Sequence, residues 1–370
     1  MMLLGVAAGC TPNASGSAPQ FTPQSDFQGN IGPNPQLPNP GIPKPSLPGG
    51  GSTSASGPAR DPNVLATKLA EPTGLVVLPD GTALVGERKS GRIYRVRPSA
   101  GLPVTVVQTL AGVDGSGDGG LLDLAISPTY AQDGLIYAYL STATDNRVVH
   151  FALGSAPSTV LGAIPRGVRG NSGRIAFDAT GALLIGTGNA GQPSLAAAPS
   201  SLAGKILRTD DIGRPAGGNP IAGSPILARG FSAVDGLCVD AETGLRLVVS
   251  ADKVFLIKPG LDYTSALPAA TLPPAARGGG GCALAGGELL IATAAGRSVA
   301  LAPVSRTATI GPFKADLVGS YGRLRTVVAG SDGALWLTTR NRDGVGQPVP
   351  DDDRVIRITA NDLDTNSPVV

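Results

Sequence analysis

The sequence contains few of the residue types on which helical proteins and histidine-based enzymes depend. Only 15% of its 370 residues are charged and 4% are aromatic, and His150 is the single histidine. One imidazole excludes histidine-rich metal sites and most catalysis that uses histidine. The shortage of charge, beside 53 glycines and 33 prolines, excludes a helical bundle or a coiled coil. With a net charge of +2 and no block of like charges, we expect no nucleic-acid partner.

The aliphatic content is high enough for a folded core. Hydrophobic residues make up 42% of the chain, which excludes a mostly disordered protein. The length allows one large domain or two ordinary ones. No run reaches the roughly 18 apolar residues that a transmembrane helix needs, so we expect no spanning segment.

Residues 1–10, MMLLGVAAGC, form a short apolar run that ends in small residues and a cysteine. The last four letters resemble a bacterial lipobox, in which the cysteine sulfur receives the lipid. We therefore predict a lipoprotein signal segment over 1–10, lipid attachment at Cys10, and a protein held outside the cytoplasm on the bacterial cell membrane. The alternative is an ordinary N-terminus with an unmodified cysteine.

A proline-rich linker is predicted over residues 11–62. Residues 11–60 contain 11 of the 33 prolines and eight glycines, and the prolines recur at short spacing in GPNPQLPNPGIPKPSLP. Such spacing prevents helix and sheet formation and favours extended polyproline II. The segment is predicted to be a stalk between membrane and domain, or else a disordered linker with no spacing role.

After about Val64 one pattern recurs, in which short aliphatic strands alternate with glycine turns and polar turns. Its six copies are 78–96, 127–151, 177–191, 239–260, 283–303 and 330–344, with turn glycines Gly81, Gly134, Gly181, Gly244, Gly286 and Gly333. A period of about 50 residues is typical of one four-stranded propeller blade. We predict an all-β protein with a six-bladed β-propeller over 63–360 and a C-terminal tail over 361–370. Two stacked β-sandwiches are the alternative.

Several segments of these repeats resemble the glucose/sorbosone dehydrogenase family, the soluble quinoprotein sugar dehydrogenases. They are EPTGLVVLPDGTALVGERKSGRIYRV (71–96), GDGGLLDLAISPTYAQDGLIYAYLS (117–141), NSGRIAFDATGALLIGTGNAG (171–191) and YGRLRTVVAGSDGALWLTT (321–339). Together with the signal segment and stalk, the second of these looks most similar to actinobacterial lipoproteins of this family, the LppZ type. The resemblance implies a six-bladed propeller that holds pyrroloquinoline quinone (PQQ) beside calcium.

The resemblance also implies a set of site residues, and the sequence matches it only in part. Gly170 stands where the family has its histidine base, and Ser232 replaces a cofactor-binding arginine. A cofactor-binding lysine falls near Ala295. Arg323 and Arg325 stand where the family clamps the carboxylates of PQQ. Two residues apart on a strand, they are expected to leave the same face, toward the channel.

Three further patterns concern metals, disulfides and the histidine. Residues 114–119, DGSGDG, imitate the start of a calcium loop, but the required Glu is absent, so we expect a glycine-rich loop at the propeller mouth and no metal ligands. Cys238 and Cys282 occupy similar places in neighbouring repeats, which predicts an inter-blade disulfide, with two free thiols as the alternative. His150 is expected on a blade-edge strand, away from the channel.

Two hypotheses of function follow. The first is an envelope lipoprotein whose propeller has kept the fold and lost the quinoprotein site, and which binds a small molecule or an envelope protein. It assigns no catalytic residue, because neither Gly170 nor Ser232 can act as a general base. The second is a divergent PQQ- and calcium-dependent oxidoreductase acting on a sugar or related alcohol, with Arg323 and Arg325 on the cofactor.

Overall fold

The six repeated turn glycines each connect the first and second strands of a four-stranded sheet. All six have a positive φ, between 59° and 79°. A Cβ at any of them would meet no atom within 4 Å, so it is the left-handed backbone and not crowding that requires glycine. The repeat found in the sequence is therefore a repeat of tight turns.

A computed structural model describes residues 61–359, and the predicted signal segment, the tail and nearly all of the linker lie outside it. The described chain forms six antiparallel sheets of four strands, with a single strand order repeated from sheet to sheet. Each sheet is one blade, and the prediction of a six-bladed β-propeller is confirmed, against two stacked sandwiches.

The first strand belongs to the last blade. β1 (Val64–Ala66) pairs with the last strand that the structure describes and closes the ring, which leaves the first blade to begin at the next strand. Blades 1 to 3 consist of β2 (Pro72–Val77), β3 (Ala83–Glu87), β4 (Arg92–Val96) and β5 (Thr105–Thr109); β6 (Leu121–Ile126), β7 (Ile136–Ser141), β8 (Asn146–Phe151) and β9 (Ser158–Ile164); and β10 (Gly173–Phe177), β11 (Leu183–Thr187), β12 (Lys205–Thr209) and β13 (Ile226–Arg229).

The second half of the ring repeats this arrangement. Blades 4 to 6 consist of β14 (Gly236–Val239), β15 (Arg246–Ser250), β16 (Lys253–Leu256) and β17 (Ala270–Thr271); β18 (Gly279–Ala285), β19 (Glu288–Thr293), β20 (Ser298–Pro303) and β21 (Lys314–Asp316); and β22 (Leu324–Ala329), β23 (Leu335–Thr339) and β24 (Val355–Ile358) with β1. Helix is confined to α1 (Tyr130–Asp133), α2 (Pro193–Ala197) and a 3-10 turn at Pro274–Ala276 within 61–359. None of these helices is long and apolar enough to cross a membrane.

The hydrophobic core is divided among the blade interfaces. Six clusters of buried side chains are found in the described chain, and each joins two neighbouring blades. Trp336 of blade 6, for example, packs with Val85 of blade 1 at the interface that the ring closure creates. Burial of apolar area between neighbours supplies the stability of each blade, because a single sheet cannot cover both of its faces.

A disulfide and the salt bridges of one aspartate also join neighbouring blades. Cys238 on β14 and Cys282 on β18 form a disulfide between the inner strands of blades 4 and 5, with Cα atoms 5.6 Å apart, as the sequence predicted. Asp178 follows β10 and accepts from Arg208 of its own blade at 2.7 Å and from Arg246 of blade 4 at 3.0 Å.

The position of His150 differs from its expected one. It lies on β8, the third strand of blade 2, which pairs with both β7 and β9 and is therefore not an edge strand. The ring packs near Tyr137, with centroids 5.4 Å apart, and does not line the cavity at the channel mouth. The sequence motif alone did not show that a fourth strand, 158–164, would cover it.

The disulfide is predicted to stabilise the ring measurably. Replacing both Cys238 and Cys282 by serine should lower the free energy of unfolding by about 4 kcal/mol, since the bridge closes a 44-residue separation in the unfolded chain. The measurement is denaturant unfolding of the variant and of the oxidised parent. Adding reductant should shift the parent toward the variant and leave the variant unchanged; equal stability of the two proteins would contradict the prediction.

The Asp178 ion pairs predict a loss of stability in acid. Burial raises the pKa of Asp178, but hydrogen bonds from Thr180 and Arg208 outweigh it and lower the pKa to about 2, from an ordinary 3.8. The carboxylate therefore stabilises the fold above pH 4, and this contribution is lost as the pH falls toward 2. Asp178→Asn should cost about 3 kcal/mol at pH 7. The melting temperatures of both proteins between pH 7 and 2 test this. The difference between them should decrease in acid, and a difference that stays constant would contradict the prediction.

Candidate functional site: the mouth of the central channel

A buried arginine lies at the centre of the ring. Arg174, on the inner strand β10, is only 4% exposed. Its Nε donates to the carbonyl oxygen of Asp235 at 2.6 Å, and its Nη1 lies 3.5 Å from Thr326 Oγ1 and 3.6 Å from Asp123 Oδ1. Thr326 Oγ1 in turn donates to the carbonyl oxygen of Thr73 at 3.1 Å. These contacts join blades 1, 2, 3 and 6 to the loop that enters blade 4.

Asp123 is the counter-ion of this arginine. It is buried, and its Oδ2 accepts from the backbone amide of Ile175 at 3.0 Å. Burial raises the pKa of Asp123, while the charge of Arg174 acts in the opposite direction. A buried carboxylate is stable in its charged form only when it is paired and hydrogen-bonded, and Asp123 has both kinds of partner.

A polar cavity of about 350 Å³ opens at the mouth of the channel, beside these inner strands. Residues from blades 1, 2 and 6 and the loops that enter blades 3 and 4 contribute to it. Its charged lining residues are Glu71, Arg88, Asp118, Asp235, Arg325, Arg340 and Asp343. We call this the channel-mouth cavity. It is the strongest candidate for a binding site, because polar groups from five blade segments converge on it.

One arginine of the cavity uses its guanidinium for contacts within the protein. Arg88 pairs with Glu71 at 2.7 Å, and its Nη1 donates to the carbonyl oxygens of Gly115, Gly117 and Gly119. Burial raises the pKa of Glu71, but hydrogen bonds from Lys89 and Arg88 hold it below its ordinary value. Arg88 therefore orders the glycine-rich loop and is not free for a ligand.

The glycine-rich loop lies at the propeller mouth, where the sequence placed it. Asp118 accepts from the backbone amides of Gly170 and Asn171, at 2.7 and 3.2 Å, and from the Asn171 side chain at 2.6 Å. Asp114 is paired with Arg166. The carboxylates that imitate a calcium loop thus hold neighbouring loops, and within 61–359 no cluster of three or more metal-ligating side chains occurs.

The two arginines of the expected clamp do not lie in one cavity. Arg323 precedes β22, and the pairing of β22 with β23 has an irregularity between Leu324 and Thr326, which breaks the expected alternation. Arg323 lines a neighbouring cavity that also includes Ala295. Its guanidinium donates to Asp343 at 2.8 Å.

Asp343 also accepts from Arg340, at 2.9 Å. Burial raises the pKa of Asp343, but hydrogen bonds from Val345 and Arg323 keep it lowered. Sequence reasoning missed Arg88 and Arg340, although a signal was present: each follows its turn glycine, Gly81 or Gly333, by seven residues. Both therefore occupy the same place in their blades, directly after the second strand.

Arg325 is the exception among the cations of the cavity. Over the described range its side chain has no ion pair and no hydrogen bond, and its Nε is buried without a partner. Burial, with repulsion from Arg340 and Arg174, lowers the pKa of Arg325. A half-buried guanidinium with no acceptor is costly, so this residue indicates a place for an anion.

Two of the three positions at which the sequence is expected to depart from the family pattern, Gly170 and Ser232, lie in separate places. Gly170 has a φ of +77°, and a Cβ there would lie 2.5 Å from the amide nitrogen of Gly191 and 2.8 Å from Asn189 Oδ1. Ser232 is exposed and lines another cavity, with Asn189 and Phe231. In the loop between β13 and β14, only Asp235 reaches the channel-mouth cavity.

Comparisons with known proteins agree with this architecture. The curated relatives that match include the aldose sugar dehydrogenase YliI of Escherichia coli K12, 29% identical over 170 residues, which are 42% of this chain and 46% of the relative. Another is an uncharacterised Synechocystis protein, slr1608, 27% identical over 235 residues, 53% of this chain and 56% of that one. The chain spans about half the length of the curated relatives it matches.

Solved structures match over a larger share. The PQQ-bound form of aldose sugar dehydrogenase from Streptomyces coelicolor is 38% identical, with a TM-score of 0.74, covering 80% of this chain and 95% of that one. An oxidoreductase of Thermus thermophilus, described as a glucose dehydrogenase, is 32% identical, with a TM-score of 0.73, covering 80% and 98%. The glucose/sorbosone dehydrogenase family model matches residues 69–263. This chain therefore belongs to the glucose/sorbosone dehydrogenase family.

Proposed function

We propose that this chain is an envelope lipoprotein whose propeller binds a ligand at the channel mouth and does not carry out the quinoprotein reaction. The observation that carries the proposal is the backbone at Gly170. The family resemblance assigns a histidine base to this position, and a general base must reach the proton it removes.

No side chain fits at Gly170 without rebuilding the loop. Its positive φ disfavours any residue with a Cβ, and the nearest obstacles include a backbone nitrogen, which cannot turn aside as a flexible side chain can. The amide of Gly170 is also held by Asp118. Loss of a base removes about 10²- to 10⁴-fold in rate, so the family's chemistry would be slow here even with cofactor bound.

The cations of the cavity also fit the cofactor poorly. PQQ carries several carboxylates, which need convergent positive groups. Arg323 and Arg340 share Asp343, and Arg88 is paired with Glu71, so Arg325 alone is without a counter-ion among the described residues of the site. Four carboxylates line the same cavity and would repel a polyanion. The residues present therefore do not fit the quinone.

The alternative is a divergent PQQ-dependent oxidoreductase that acts on a sugar or related alcohol. Two observations favour it: the 38% identity to a PQQ-bound aldose sugar dehydrogenase, and the unpartnered Arg325 at a position that the family uses for the cofactor. In this alternative Arg325 and Arg323 would hold cofactor carboxylates, and another residue would have to replace the base.

Adding PQQ and calcium to the purified protein separates these functions. We expect no cofactor-bound absorption spectrum, because Arg325 is the one arginine of the cavity left for the cofactor's carboxylates among the described residues. We expect no dye reduction with a panel of aldoses, because Gly170 cannot act as the base. A quinoprotein sugar dehydrogenase prepared in parallel serves as the positive control. Stoichiometric PQQ binding together with aldose-dependent dye reduction would overturn the proposed function in favour of the alternative.

The membrane anchor is part of the same proposal. The disulfide between Cys238 and Cys282 supports an oxidising compartment outside the cytoplasm. Cys10, the predicted lipid-attachment residue, would connect the propeller to the membrane through the proline-rich linker, and a second acyl chain would make the attachment stable.

Replacing Cys10 tests the anchor. In the native host, Cys10→Ser should abolish incorporation of a labelled fatty acid and move the protein from the membrane fraction to the soluble fraction. Cys238→Ser with Cys282→Ser is the matched control and should remain labelled and membrane-bound. Fatty-acid labelling that persists in Cys10→Ser would exclude this residue as the attachment site.

A further inference from the structure

We propose that the channel-mouth cavity binds a small hydroxylated monocarboxylate, a sugar acid, with its carboxylate on Arg325. The inference rests on the proposed function, in that it takes the cavity to be a binding site that the quinone does not fill. It differs from the family's cofactor site in the charge, size and chemistry of the ligand.

The charge of the ligand follows from the pairing of the cavity's own residues. Arg88 and Lys89 both have Glu71 as a partner, and Arg323 and Arg340 both have Asp343. Arg174, behind the lining, is already paired with Asp123. Among the cations of the cavity, Arg325 is the one that has no partner in the described part of the chain. One unpaired guanidinium fits one carboxylate, which it can bind through two parallel hydrogen bonds.

The remaining lining excludes a second negative charge on the ligand and favours hydroxyl groups. Asp235 contributes to the cavity and acts electrostatically on Arg325 without forming an ion pair with it. Its Oδ2 accepts from the amide of Ala251, while Oδ1 has no partner within residues 61–359. Asp118 presents a further carboxylate. Acceptors of this kind repel phosphates and polycarboxylates but accept hydrogen bonds from ligand hydroxyls.

The channel-mouth cavity also offers a neutral hydrogen-bond donor. Ser172 lines the same cavity, and its Oγ accepts from the amide of Val234 at 2.8 Å, which leaves the hydroxyl proton available to a ligand. The volume of about 350 Å³ lies near the lower end of ligand pockets, which limits the occupant to one small molecule such as a single sugar unit.

Titration calorimetry of the full chain with three probes tests the charge and the hydroxyls. We expect D-glucuronate to bind, and D-glucose and citrate to bind at least about tenfold more weakly. Glucose lacks the carboxylate, and citrate carries three. Citrate binding as tightly as glucuronate would overturn the monoanion assignment. Glucose binding as tightly as glucuronate would remove Arg325 from recognition.

Variants of Arg325 test the residue itself. Arg325→Met should weaken glucuronate binding by more than about tenfold and raise the melting temperature of the free protein, since it removes a charge that has no partner. An arginine with a purely structural role would lower the melting temperature instead. Arg297→Met is the matched control: Arg297 is exposed, lies outside the cavity and should change neither quantity. Unchanged glucuronate binding in Arg325→Met would overturn the proposal.

The outcomes distinguish this inference from the proposed function. If neither PQQ nor glucuronate binds, the sugar-acid proposal fails while the absence of quinoprotein chemistry stands. If PQQ binds and aldoses reduce the dye, the proposed function fails and the inference fails with it, since the quinone would then fill the cavity. Glucuronate binding without PQQ binding supports both.

Discussion

The structure depends on the placement of one charged side chain, Arg174, inside the ring of inner strands. Its guanidinium contacts groups from blades 2 and 6 and from the loop that enters blade 4, and through Thr326 it is linked to blade 1. A buried charge of this kind is destabilising unless every donor finds an acceptor, so the inner strands must keep the spacing that these contacts set. The hydrophobic clusters join neighbouring blades only, whereas Arg174 of blade 3 also contacts Thr326 of blade 6, on the opposite side of the ring.

The arginine also determines the electrostatics of the channel mouth. Because Asp123 is its counter-ion, that carboxylate is not available to Arg325, which lies on another inner strand of the ring. Arg88 is paired with Glu71 and Arg340 shares Asp343 with Arg323, whereas Arg325 has no acidic partner within the described residues of the cavity. Burial, with repulsion from Arg340 and Arg174, therefore lowers the pKa of Arg325. The unpaired state of Arg325 is therefore a property of the whole cavity.

Sequence reasoning could predict the parts of this molecule that depend on local backbone geometry. Turn glycines need a positive φ wherever they occur, and Gly81 and its five counterparts gave the number of blades. The two cysteines occupied equivalent places in adjacent repeats, and their bond follows from that equivalence. Arg323 and Arg325, expected to lie together toward the channel, line different cavities, and the irregularity in the pairing beside Leu324 cannot be recognised from alternation alone. The pairing of each arginine could not be predicted either, because it depends on contacts between distant blades.

Gly170 is held on several sides by neighbouring loops. Asp118 from the glycine-rich loop holds the amides of Gly170 and Asn171, and a Cβ at Gly117 would lie 2.1 Å from the carbonyl oxygen of Val168. The two loops therefore fit each other only with glycine at both contacts. A histidine at residue 170 would disrupt this contact, since its Cβ would lie 2.5 Å from the amide nitrogen of Gly191. Because these loops fix the shape of the channel-mouth cavity, its charge pattern, with Arg325 uncompensated among the described residues, is the more informative guide to the ligand that we propose.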